Sequence, residues 1–173
     1  MLPDVSDITD PIDTIRQSVE AARAGPPKLR ELCDGLDSTD CARKPGVGKL
    51  SLFEHVWHLL DMERDVFRPR LRQVLAEENP VLQPLDIEEH AVRDENDSKY
   101  NLAEIITAWE AARTENVALV EGTGAEDWGR ALQHPLIGKA TFLDLVRRWG
   151  RHDGDHLRQI EILSLNMRER NLP

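Results

Sequence analysis

Four long stretches of the chain carry apolar residues at three- and four-residue spacing, and none shows the strict alternation of a strand. That period belongs to amphipathic helices, whose side chains return to one face about every 3.6 residues. In the first stretch the repeat runs Ile12, Ile15, Val19 and Ala22, opened by Asp10 as N-cap and Pro11 in the first turn. Gly25-Pro26-Pro27 interrupts it. A proline inside a helix removes a hydrogen bond and crowds the carbonyl four residues back, so this helix is expected to kink or restart there. The pattern resumes through Leu29, Leu32 and Leu36 and ends near Asp37.

Pro45, Gly46 and Gly48 mark residues 38–50 as a loop. Ser51 and Glu54 form an S-x-x-E capping box that opens a second helix through Phe53, Trp57, Leu60 and Val66 to about Glu78, with a bend at Pro69. Residues 79–100 hold two prolines and many acids and read as a long connection. A connection of that length in a compact domain is expected to cover a site. Asn101 and Glu104 start the third helix, which ends near Gly122 and Gly124. The turn-rich stretch 123–139 leads to Thr141 and Asp144, which open a fourth helix reaching about Arg168. The fold class is therefore all-α: a four-helix bundle with long connections, in a single domain over residues 1–173. A chain of 173 residues buries enough surface to fold without disulfides.

The formal net charge of −10, without a Lys/Arg cluster free of acids, argues against nucleic acid and against an anionic membrane surface as partners. No run approaches the roughly 18 apolar residues that span a bilayer, and the start, MLPDVSDITDP, lacks the basic and apolar regions of a secretory signal. A cytoplasmic location is expected. Cys33 and Cys41 stand eight positions apart with no C-x-x-C pattern, so they read as two reduced thiols without a catalytic role. No Ser-His-Asp or Cys-His arrangement and no phosphate-cradling glycine loop is present.

The fourth helix carries the chemistry. Phe142, Leu145, Trp149, Ile160, Leu163 and Met167 share one face, and His152 and His156 fall in the middle of that stripe. A buried polar group left without a partner costs roughly 1–3 kcal/mol, and two on one stripe double the problem. A metal ion resolves it, because histidines at i and i+4 both reach one ion. The second helix offers His55 and His58 in the string SLFEHVWHLLDME as completing ligands. His58 lies deeper in the apolar run, whereas His55 stands near the capped start, where exposure is expected. His90 and His134 lie in connections without partner motifs and read as surface residues.

These residues resemble a known family. GKLSLFEHVWHLLDME (48–63) is similar to the Gly-Lys-Trp-Ser pattern and following His-bearing helix of the DinB-like superfamily, and HDGDHLRQIE (152–161) to its H-x-x-x-H-x-x-Q-I signature. The stretch from Tyr100 to Arg113 and HPLIGKATFLDLV fit the same layout. The resemblance covers nearly the whole chain. It implies a DinB-like four-helix bundle whose three metal-binding histidines are His58, His152 and His156. His55 has no counterpart in that pattern, and Leu50 stands where the family has Trp, which touches packing but not the ligand set.

A three-His site with open positions is a catalytic geometry. Its donors suit a divalent ion, Zn or Ni first, with Fe or Mn also candidates. Among enzymes, the resemblance implies transfer of a low-molecular-weight thiol to an electrophile, or metal-dependent hydrolysis, for which spacing offers Asp61, one turn beyond His58, as base. A non-catalytic module that holds metal or a small ligand is the third reading. A small-molecule substrate and a homodimer are the expected partners.

Overall fold

The structure is a computed structural model that describes residues 10–84 and 101–170. Its first helix, α1 (Pro11–Cys33), starts as read from sequence: the Asp10 side chain accepts from the Ile12 amide at 2.9 Å. The helix neither ends nor restarts at Pro26-Pro27. Pro26 cannot donate to the Ala22 carbonyl, but that carbonyl accepts instead from Nη1 of Arg113 at 3.4 Å. A neighbouring helix thus supplies the hydrogen bond that the proline removes. Gly25 gives the room for that approach, since a Cβ there would stand 3.0 Å from the Trp109 ring.

A short helix α2 (Ser38–Ala42) lies in the stretch read as loop, capped by Asp37 accepting from the Thr39 and Asp40 amides. The second long helix is built in three pieces: α3 (Leu52–Asp61), a π-helical segment (Met62–Phe67) and α4 (Arg68–Ala76). The irregularity expected at Pro69 therefore falls one turn earlier. Placing the π segment there puts Pro69 in the first turn of α4, where its missing N–H costs nothing. Then follow α5 (Leu102–Glu121), capped by Asn101, a short α6 (Ala125–Trp128), and α7 (Phe142–Arg170).

Between α6 and α7 the chain makes strands β1 (Ala131–His134) and β2 (Gly138–Thr141), paired antiparallel with Ala131 opposite Thr141 and His134 opposite Gly138. No strand was expected here. Four-residue strands are too short to show alternation, and only Leu132 and His134 of β1 are buried. Gly138 takes φ of 72° at the turn, which favours glycine. Residues 80–82 lie against β1 through Gln133 N to Pro80 O at 2.8 Å and Leu82 N to Gln133 O at 2.9 Å.

Of the 79–100 connection, 85–100 lies outside the described residues, and with it His90. Among the described residues no helix is long and apolar enough to cross a membrane.

The bundle places α1 against α5 and α7, and α3 against the same two helices. The first two long helices of the chain thus sit diagonally rather than side by side. This order brings α3 and α7, the two histidine-bearing helices, into direct contact. The core divides into two apolar halves: one holds Val19, Phe67, Leu71, Val120, Leu145 and Trp149, the other Leu29, Val56, Leu59, Ile106, Trp109 and Ile160. Along every long helix the junction between the halves is a short polar or proline-bearing interval. On α7 that interval is His152 to His156.

Candidate metal centre

Each of the two site helices begins with a reciprocal cap that fixes its register. At α3, the Glu54 amide donates to Ser51 Oγ at 3.1 Å and the Ser51 amide to Glu54 Oε2 at 2.7 Å. At α7, the Asp144 amide donates to Thr141 Oγ1 at 3.2 Å and the Thr141 amide to Asp144 Oδ2 at 2.9 Å. From these starts, apolar residues on either side of the histidines bury the facing stripes: Val56 and Leu59 on α3, Trp149 and Ile160 on α7.

The structure brings His58, His152 and His156 together. One ring nitrogen from each lies within 4.8 Å of the others. His58 Nε2 and His152 Nε2 stand 3.1 Å apart, and the His156 ring centroid is 4.5 Å from each of the other two. Two nitrogens each about 2.0–2.1 Å from one Zn ion lie roughly 3.3 Å apart, so the spacing fits shared ligation. Phe67 of the π segment meets the His152 ring edge-on at 5.5 Å between centroids. Burial pushes the His156 imidazole down to about 2, aided by the neighbouring His152, His58 and His55. It is therefore neutral at physiological pH, with a lone pair free to ligate.

His55 is buried, contrary to the exposure expected near the capped start. Its Nδ1 lies 2.8 Å from Nδ1 of His156, so it fixes the back of that ring and leaves the His156 Nε2 for an ion. Burial lowers its pKa, against a smaller opposing effect of Glu54. Asp61 is buried at the end of α3 but does not belong to the cluster of donor atoms. His134, read as a surface residue, is 4% exposed, because β1 turns it inward beside α7.

Sequence reading missed the charged layer behind the histidines. Arg113 of α5, 2% exposed, donates from Nε and Nη2 to the two carboxylate oxygens of Glu63 at 3.0 and 2.9 Å. Asn116 Nδ2 and Trp149 Nε1 donate to the same carboxylate at 3.1 and 3.0 Å. Burial pushes the Glu63 carboxyl up. Four converging N–H donors nevertheless leave no acceptor for a carboxyl proton, and the group is an anion held by Arg113. Arg113 Nη2 is also 2.6 Å from Asp153, whose other oxygen lies 3.5 Å from Nδ1 of His152. The Arg113 guanidinium is sandwiched between the Trp109 and Trp149 rings, 4.7 and 4.8 Å from their centroids.

The π segment is what carries Glu63 inward next to Met62. The available signal was Asp153, an acid between two inward histidines.

The site tests well as a metal centre on its own geometry. Among the described residues His152 Nδ1 is a buried nitrogen without a hydrogen-bond partner, and it stands 3.5 Å from the Asp153 carboxylate that Arg113 holds. Ligating histidines commonly set the ring by turning the second nitrogen to such a carboxylate. A cavity of about 410 Å³ opens beside His152, giving a small molecule access to the cluster.

Fold and site together define a class: helical bundles with an open three-histidine cluster between two facing helices. The family model described as the DinB superfamily matches residues 21–160, and the chain belongs to that superfamily. A solved structure of YfiT from Bacillus subtilis superposes with a TM-score of 0.79 at 19% identity, over 96% of this chain and 93% of that one. YfiT is described as a probable metal-dependent hydrolase with an unusual four-helix bundle topology. At this identity the likeness shows the fold. No curated protein sequence matches the chain.

Proposed function

We propose that His58, His152 and His156 hold one divalent cation, Zn or Ni, and that the protein joins a low-molecular-weight thiol to an electrophile there. The observation that carries the reading is a cluster of three imidazole donors beside a cavity, with no carboxylate of the described residues in the donor set. Such a set leaves the charge of the ion undiminished by an anionic ligand, which suits it to hold a thiolate. A cation held by the three histidines would supply Lewis acidity, lowering the pKa of a thiol that reaches it. The chain's residues do the rest. His55 keeps the His156 ring in register, the Asp153–Arg113–Glu63 chain sets a carboxylate 3.5 Å from Nδ1 of His152, and Phe67 closes one side of the cluster. The thiol proton leaves to solvent, the sulfur electron pair forms a bond to the electrophilic carbon, and the leaving group departs with its own pair.

The test loads the protein with Zn or Ni and offers 3-mercaptopropionate, cysteine and 2-mercaptoethanol with 1-chloro-2,4-dinitrobenzene. Thioether formation that disappears on chelation and in His152→Ala supports the reading. Metal-loaded protein that accelerates none of these reactions contradicts it. Metal-assisted hydrolysis is the second reading, favoured by the shared fold with YfiT, with Asp61 as base. It predicts turnover of an ester panel that Asp61→Asn abolishes. Metal binding with turnover in neither panel would leave the non-catalytic metal-binding module.

A further inference from the structure

The cavity beside the histidines has a second property that the metal reading does not use. Three of its lining residues are arginines: Arg70 from α4, and Arg148 and Arg151 from α7. The chain as a whole carries a net charge of −10, so three cations converging on one small cavity run against its composition.

Among the described residues, none of the three has an ion-pair partner. Arg70 spends one nitrogen on the Gln83 carbonyl at 2.8 Å, and Arg148 and Arg151 make no ion pair. The lining holds one carboxylate, Asp155, which is exposed, stands 3.7 Å from Arg158 and forms no ion pair with the three arginines. The cations also feel one another: Arg70 is lowered by burial and then by Arg148, and His134 by burial and then by Arg148 and Arg70. His134 adds a donor to the same wall. Its Nδ1 accepts from the Leu136 amide at 3.1 Å, so the proton sits on Nε2, which is buried without a partner.

Arg70 and Arg148 are half-buried and Arg151 is exposed, so the cavity wall carries like charges that an incoming anion would neutralise. The fork geometry of these arginines suits the oxygens of a carboxylate or a phosphate, which are the same chemistry to a guanidinium. The cavity also reaches the cluster, since His152 lines both. We propose that this cavity seats the anionic group of a substrate whose reactive end reaches the cluster at His152. The substrates are thus small thiols or electrophiles bearing a carboxylate or phosphate. The inference rests on the metal reading for the reactive end, but the anion seat is tested apart from it.

The experiment loads the protein with Co²⁺ and titrates 3-mercaptopropionate and its methyl ester, which present the same sulfur with and without the charge. The thiolate-to-cobalt charge-transfer band in the near ultraviolet reports binding without any turnover. One charge-assisted hydrogen-bond pair contributes about 1.5–3 kcal/mol. The acid is therefore expected to half-saturate at a concentration roughly 10-fold or more below the ester. Arg70→Gln and Arg148→Gln, which keep full cobalt stoichiometry, are expected to erase that preference, and Arg148→Lys to keep part of it. Inorganic phosphate competing more strongly with the acid than with the ester would place both anions in the same seat and support the proposal. Equal half-saturation for acid and ester, or a preference that survives both Gln variants, overturns the proposal and leaves the metal reading intact. No band with either probe overturns the metal reading instead. Saturation-transfer NMR of the same two probes on metal-free protein then decides the anion seat by the same preference and the same variants.

Discussion

Replacing Arg113 by Met isolates the contribution of the charged layer behind the histidines. Arg113 and Glu63 are 2% and 1% exposed, and Asp153 is 6% exposed. The substitution keeps most of the apolar stem between Trp109 and Trp149 but removes every donor that Glu63 and Asp153 receive from the guanidinium. Two carboxylates are then buried with only Asn116 and Trp149 against one of them. Removing one partner of a buried ion pair costs about 3–5 kcal/mol. The same loss at an exposed pair costs about 0.2–1 kcal/mol. For a chain of this size each kcal/mol moves the melting temperature by roughly 2–4 °C, so a fall of roughly 6–20 °C is expected.

The deficit also has a pH signature. Burial already pushes the Glu63 carboxyl up against the opposing charge of Arg113, and without Arg113 it stands further above its unfolded value. The folded variant then holds more protons than the unfolded chain through the mildly acidic range. Its stability therefore falls as pH rises, and its gap to the parent protein narrows between pH 7.5 and 5. Urea unfolding of metal-free protein by circular dichroism at the two pH values measures both effects. Glu63→Gln combined with Arg113→Met is expected to recover part of the loss, because both partners are then gone. A loss under about 1 kcal/mol, or a gap that widens on acidification, refutes the reasoning.

Two other perturbations follow from the same geometry. His55→Phe removes the group 2.8 Å from Nδ1 of His156 and is expected to weaken metal binding roughly 10–100-fold while the fold persists, read by competition with a chromophoric chelator. Burial pushes the Cys33 thiol up to about 12 and the Cys41 thiol up to about 11. Neither is expected to react with a disulfide reagent at pH 8 until the chain is unfolded. Because both folded values lie above the ordinary 9.0, stability is expected to fall as pH rises from about 9 towards 12, when the unfolded chain loses these protons first.

The histidine pair on α7 was legible because helical periodicity assigns a face to every residue from 142 to 167, and two imidazoles stood within an apolar stripe. The start of α3 was legible from Ser51 and Glu54. His55 was misjudged because distance from a helix start does not measure burial. Here the cap is itself buried, with Ser51 1% exposed. The unbroken α1 and the charged layer have one cause. Arg113 satisfies the Ala22 carbonyl that Pro26 abandons and at the same time holds Glu63. Neither contact is local, since the partners lie 91 and 50 positions apart, so no window of sequence contains the compensation. The hairpin escaped notice because four-residue strands carry too few residues for a period.

The central claim is that His58, His152 and His156 share one ion. Elemental analysis of protein purified without chelator, and again after adding Zn or Ni, tests it most directly when repeated on His58→Ala, His152→Ala and His156→Ala. Close to one metal per chain is expected for the parent and near none for each variant, with all four proteins equally helical. Parent protein that takes up no metal, or three variants that bind it as well as the parent, would contradict the account.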